Sequence, residues 1–198
     1  NEGDTAIMKQ KKGEPGYLDH QLKVEIIKTL ISFALVLAIL ALGIIQTGTR
    51  LNLLTVVAIL GALPACKLLV GVITRFPYRS IPSETAEEIR KNTEYLTVAY
   101  DMIITSTEKI MPVDCIVISG HTVCGYTRSQ KVDCAYLGKH IKNILSQNGY
   151  DKMTVKIFQK YSQFLSRAEG MNAIAEIDQA DDARMEEAVR HLILNISM

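Results

Sequence analysis

The chain has 198 residues, 48% of them hydrophobic, and a formal net charge of +1. From Arg75 to the C-terminus, 15 Lys plus Arg stand against 16 Asp plus Glu, so there is no basic excess of the kind nucleic-acid binding produces and nucleic acid is not expected as a partner. The four cysteines, Cys66, Cys115, Cys124 and Cys134, form no CxxC pair, which excludes a zinc framework and fits reduced thiols in a cytosolic domain.

Residues 1–22 read as an N-terminal cytosolic tail, polar and loose, with Gly13, Pro15 and Gly16 as breakers. Met8, followed by Lys-Gln-Lys-Lys, reads as a natural start. Tyr17, Leu18, Leu22 and Ile26 suit a short interfacial lead-in. Residues 23–76 then read as a transmembrane helical hairpin, with spans at about 29–47 and 51–74. The first span carries no charge and the second carries only Lys67. A bilayer core about 30 Å thick needs roughly 20 helical residues, so both spans are long enough to cross. Gly48, Thr49 and Arg50 leave room only for a tight reversal.

Lys9, Lys11, Lys12, Lys23 and Lys28 precede the first span, and Arg75, Arg79, Arg90 and Lys91 follow the second. Only Arg50 lies between them, so both termini are expected in the cytoplasm of a multi-pass cell-membrane protein. Ala34 with Ala38, and Ala58 with Ala62, are small-xxx-small steps that permit close helix packing. Pro64 removes a helical hydrogen bond and is expected to kink the second span. Lys67 lies eight residues before Arg75, about 12 Å along the axis. It either snorkels to the cytosolic headgroups or lines a bundle interior.

Residues 77–82 read as a stiff linker with two prolines, and 83–198 as a cytosolic α+β domain. Ser83 is the expected N-cap of a helix whose buried stripe is Ala86, Ile89, Thr93 and Leu96. Strands are expected at 99–105, 113–118, 122–126 and 152–158. Helices are expected at 133–148, stopped by Asn148-Gly149, at 159–169 and at 181–198. The expected fold is thus a two-helix transmembrane hairpin plus a small α+β domain with a mixed four-stranded sheet and flanking helices. Cys115 and Val117 should share one face of their strand, with Asp114, Ile116 and Ile118 on the other.

Catalytic motifs are scarce. There is no Gly-rich phosphate loop, GxSxG or HExxH motif. Cys124 and His121, three residues apart at a strand start, point to opposite faces. His20, His121, His140 and His191 are isolated and read as structural. Asp178, Asp181, Asp182, Glu186 and Glu187 read as a solvated acidic face at a helix start. No metal site and no cofactor is expected.

One arrangement carries a resemblance. A helix, three strands, a helix and a strand, with Asp114 in Val113-Asp-Cys-Ile-Val-Ile118, resembles restriction-endonuclease-like domains over residues 83–158. The resemblance implies that Asp114 is the strand aspartate of a metal site, completed by a Glu-x-Lys on the next strand. Thr127 and Ser129 stand where that Glu and Lys belong, and one carboxylate does not hold a catalytic divalent ion. The whole chain also resembles two-pass membrane proteins of Gram-positive bacteria, which implies no activity. The expected function is therefore non-enzymatic: a membrane-anchored assembly or sensing protein at the cytoplasmic face, homo-oligomeric and channel-like in its extreme form. Its partners would be the lipid bilayer and itself. The alternative is a membrane-tethered metal-dependent nuclease or hydrolase using Asp114.

Overall fold

The computed structural model describes residues 11–48, 53–106, 109–178 and 183–198. The chain divides into two compact units, one of residues 18–79 and one formed by Ser80–Met198 together with the segment before Leu18. The reversal at Thr49–Arg50, Glu108, and the acidic residues Asp181 and Asp182 lie outside the described residues, as does the Asp178 side chain.

The first unit is a helical hairpin. α1 runs Tyr17–Thr47 without interruption, and α2 runs Leu53–Arg75 with Pro64 inside it. The expected lead-in and first span are thus one helix, because nothing between Tyr17 and Gly43 breaks it. Both helices are long and apolar enough to cross a membrane, and only 11% of each apolar window is buried. A core helix of a soluble protein would bury most of that window; here Leu30, Ile31, Leu35, Leu37, Leu63 and Ile73 each expose more than 60% of their surface. Apolar surface of this extent is compatible with insertion in lipid.

The seam of the hairpin is built from small residues on α2. Ala58 and Ala65 are buried, and a Cβ on Gly61 would lie 3.4 Å from Val36 Cγ2. Ala62 is half-buried, whereas Ala34 and Ala38 are exposed and lie off this seam. Charged groups fix the register at the open end. Glu25 pairs with Arg75, and Asp19 with Arg79 at 3.7 Å. Gly71 lies beside the first pair, its Cβ position 3.6 Å from Glu25 Oε2, an ordinary contact distance.

The second unit is a three-layer α/β/α domain. Its elements are α3 (Ser83–Asn92), β1 (Thr97–Thr105), β2 (Ile110–Ser119), β3 (Thr122–Tyr126), α4 (Cys134–Gln147), β4 (Thr154–Phe158), α5 (Tyr161–Asp178) and α6 (Ala183–Ile196). The sheet order is β1-β2-β3-β4; β1, β2 and β3 are antiparallel neighbours and β4 joins β3 in parallel through α4. This is the mixed four-stranded sheet with flanking helices that the pattern predicts. One core, with Met102, Ile116, Ile118, Leu137, Ile141 and Val189, lies under α4 and α6. The other, with Ile89, Cys115, Val117, Cys124, Tyr126 and Phe164, lies under α3 and α5.

Local chemistry sets the element ends. Asp133 caps α4 by accepting from Ala135 N and Tyr136 N at 3.0 and 3.1 Å. Gly149, at φ +89°, closes α4 with paired bonds from Gly149 N to Ser146 O and Tyr150 N to Leu145 O. Ser83 is not a cap: Pro82 precedes the helix, and its carbonyl accepts from Ala86 N with no side-chain bond. α5 continues past the expected stop at Glu169, because Gly170 is exposed and Ala168 and Met171 on either side of it are buried in the core. β1 and β2 each begin earlier than expected, at Thr97 and Ile110.

The segment before the hairpin is not a loose tail where it is described. Gly13 O accepts from Tyr100 N at 2.9 Å, and Gly13 packs on Leu194. From the other end of the chain, Met198 N donates to Ile103 O at 2.9 Å. The two segments cover the free edge of β1, which would otherwise present unpaired backbone groups.

Candidate functional site

Asp114 and a second aspartate, Asp101, define the centre of the domain. The β1–β2 register pairs Tyr100 with Cys115 and Met102 with Val113, which sets Asp101 opposite Asp114. Both are buried, at 2% and 8% exposure. The alternation of both strands shifts by one residue here. Ala99, Met102 and Ile104 share one core, as do Val113, Ile116 and Ile118, while Tyr100, Cys115 and Val117 share the other. Cys115 with Val117 is the expected pairing, whereas Val113 on the side of Ile116 is not what strict alternation gives. Asp101 absorbs the shift at φ +54°, the left-handed region, and it is the one described non-glycine residue found there. Aspartate tolerates that conformation better than most residues, at a cost on the order of 1 kcal/mol.

Each carboxylate has donors from outside its strand. Asp101 Oδ2 accepts from Gly16 N at 2.7 Å and Oδ1 from Ile81 N at 2.8 Å. Gly16 immediately precedes α1, and Ile81 follows α2 by six residues, so one side chain holds both segments that lead into and out of the hairpin. Burial pushes the Asp101 carboxyl above its ordinary value, and the Asp114 charge adds to this; bonds from Ile81, Ser80 and Gly16 oppose it.

Asp114 is committed to Arg128. Its Oδ1 accepts from Arg128 Nε at 2.8 Å and sits 2.8 Å from the second guanidinium nitrogen. Oδ2 accepts from Arg128 N at 2.6 Å. The guanidinium also donates to Ser80 O at 3.0 Å, so the fork joins β2, the end of β3 and the chain leaving the hairpin. Both of these guanidinium nitrogens thus converge on the one oxygen, Oδ1, while the backbone N–H of the same residue takes the other, and charge-assisted bonds of this kind are strong. Arg128 lies between Thr127 and Ser129, the two positions where the resemblance places a Glu and a Lys. Thr127 is fully buried and its hydroxyl donates to Pro112 O at 2.8 Å. A guanidinium thus occupies the region where a metal-binding carboxylate would be needed. Among the described residues no group of three or more His, Cys, Asp or Glu is placed to hold a metal ion.

The remaining candidates stay apart from this centre. Lys67 and Pro64 are both exposed on α2. Cys115 and Cys124 are buried, and burial pushes both thiols up, away from the reactive thiolate. His121 is exposed at the β2–β3 turn. Of the acidic cluster, Glu186 accepts from Thr97 Oγ1 and Gly120 N at 2.8 and 2.6 Å, and Glu187 pairs with Arg190 at 2.7 Å.

Asp101 and Arg128 are the two residues that sequence reasoning passed over. A charged residue inside the apolar run Ala99-Tyr-Asp-Met-Ile-Ile104 was the available signal, since a buried carboxylate requires donors. No known family, no curated protein and no solved structure matches this chain.

Proposed function

We propose that this chain is a non-enzymatic assembly or sensing protein of a bacterial membrane, anchored by a two-pass hairpin with both termini in the cytoplasm and working as a homo-oligomer. The Asp114–Arg128 pair carries the reading. A carboxylate whose two oxygens already hold a guanidinium fork and a backbone N–H is not available to coordinate a divalent ion, which disfavours the hydrolase. The Asp101 bonds to Gly16 and Ile81 favour a domain that works in concert with its anchor.

Assembly is supported by what the hairpin leaves outside. The Ala34–Ala38 step and Lys67 both face away from the partner helix. A second hairpin packed there would use the small residues for close approach and give Lys67 polar surroundings. The test is the mass of the complex in mild detergent, for the natural chain and for Lys67→Leu. A discrete oligomer whose stability or anion dependence changes in Lys67→Leu supports the reading. A monodisperse monomer indifferent to the substitution overturns it.

A further inference from the structure

On the α3 side of the sheet, α3 and the start of β1 enclose an open cavity of about 710 Å³. That is within the range of about 300–1,000 Å³ typical of small-molecule sites. Leu96 and Val98 give it apolar wall, and Arg90, Lys91, Glu87 and Glu94 carry its charge. Thr93 contributes no free hydroxyl, since its Oγ1 donates to Ile89 O at 2.7 Å.

Two features mark this cavity as a binding site. Tyr100 lines it, is 93% buried by its 7% exposure, and its hydroxyl has no hydrogen-bond partner. A buried phenol without a partner costs free energy that an occupant would recover. Arg90 and Lys91 stand beside it with no carboxylate paired to either among the described residues. We propose that the cavity binds a small organic anion, a carboxylate or a phosphate ester, with Arg90 and Lys91 meeting its charge and the Tyr100 hydroxyl donating to it. Glu87 and Glu94 can accept from hydroxyl or amine groups on the same molecule.

The chemistry of the phenol suits this role. Burial holds the Tyr100 hydroxyl protonated well beyond neutral pH, with Arg90 near enough to act against that shift. It is therefore a donor, never a competing anion. The position suits a sensor too. Tyr100 N donates to Gly13 O, and the next residue, Asp101, holds Gly16 and Ile81. An occupant would thus touch the strand beside the residues that lead into the hairpin. This deepens the sensing half of the proposed function by naming a ligand class, and it rests on that half alone.

The experiment titrates the full chain in mild detergent with inorganic phosphate and, separately, with citrate, following thermal unfolding and calorimetric heat. Saturable binding of either probe is expected, and the one that binds more tightly identifies the phosphate or carboxylate source. Arg90→Gln and Tyr100→Phe should each weaken it about tenfold, the scale of a lost hydrogen bond to a charged group. Tyr100→Phe keeps the ring, so the fold is retained. Lys139→Gln, at an exposed position of α4, should leave binding unchanged. No saturable binding, or binding equal in the natural chain, Arg90→Gln and Tyr100→Phe, would overturn the proposal. Oligomer mass is read in the same samples. A monomer that binds removes the assembly reading alone, and an oligomer that binds neither probe removes this one alone.

Discussion

Asp101 stands opposite Asp114 across β1 and β2, and the two carboxylates are held by unlike partners: backbone N–H groups for Asp101, a guanidinium for Asp114. Two buried negative charges in such proximity require this division. Asp101 ties Gly16 and Ile81 to the sheet, and Asp114 reaches Ser80 of the same outgoing segment through the Arg128 guanidinium.

Removing Arg128 should therefore be costly. Arg128→Gln leaves Asp114 buried with only a backbone donor. With the guanidinium side chain 39% exposed, the loss should be about 2 kcal/mol, below the value for a fully buried pair. The double variant Arg128→Gln with Asp114→Asn should recover part of it. Denaturant unfolding measures both, and a double variant no better than the single one refutes the pairing as the cause.

Asp101 should give a pH dependence opposite in sign to that of an ordinary paired carboxylate. Its folded value is raised above 3.8, so the native state binds the proton more tightly than the unfolded chain does. Its stabilising contribution is complete below 3.8 and is lost as pH rises through the raised folded value. The stability of the natural chain minus that of Asp101→Asn should accordingly fall as pH increases over that window. A difference that grows with pH contradicts it.

In the hairpin, Glu25→Lys should oppose Arg75 and loosen the open end by about 1 kcal/mol, since both side chains are partly exposed. Combining it with Arg75→Glu restores the pair in reverse. Resistance to unfolding in detergent reports this, and failure of the charge swap to restore the natural value shows that the register does not depend on the pair.

Gly125 on β3 has no space for a side chain. A Cβ there would lie 2.6 Å from Ile157 Cδ1 and 3.4 Å from Ile116 Cγ1. Gly125→Ala should destabilise by about 1–2 kcal/mol through overpacking. Ile157→Val removes the atom in the way, so the double variant should lose less than the two single losses added together. Simple additivity in thermal unfolding rules out the clash.

Topology is testable by labelling. In a Cys66→Ser background, which removes the exposed native thiol, a cysteine at Thr49 should react with an impermeant maleimide in intact cells. One at Gln10 should not. The reverse pattern overturns the orientation.

The sequence by itself determined the hairpin, because two nearly charge-free runs of membrane length have few other uses. It also determined the strands and most of the helices, since period-2 and period-3.6 patterns are local, and so is Gly149 as a stop; Asp133, read as the first residue of its helix, is instead its N-cap. The tertiary structure alone decided the rest. Asp101 finds its donors 85 and 20 residues away in Gly16 and Ile81, and no local pattern encodes a bond of that span. The shift in facing at Asp101 and Asp114 arises only when both strands are paired, so strict alternation misplaces Val113. Arg128 was visible between Thr127 and Ser129, but its role depends on the turn after β3 bringing its guanidinium back onto β2. The hairpin seam was decided in the same way. The Ala34–Ala38 and Ala58–Ala62 steps look alike in sequence, and only the rotation of the packed helices buries Ala58 while leaving Ala34 and Ala38 outside.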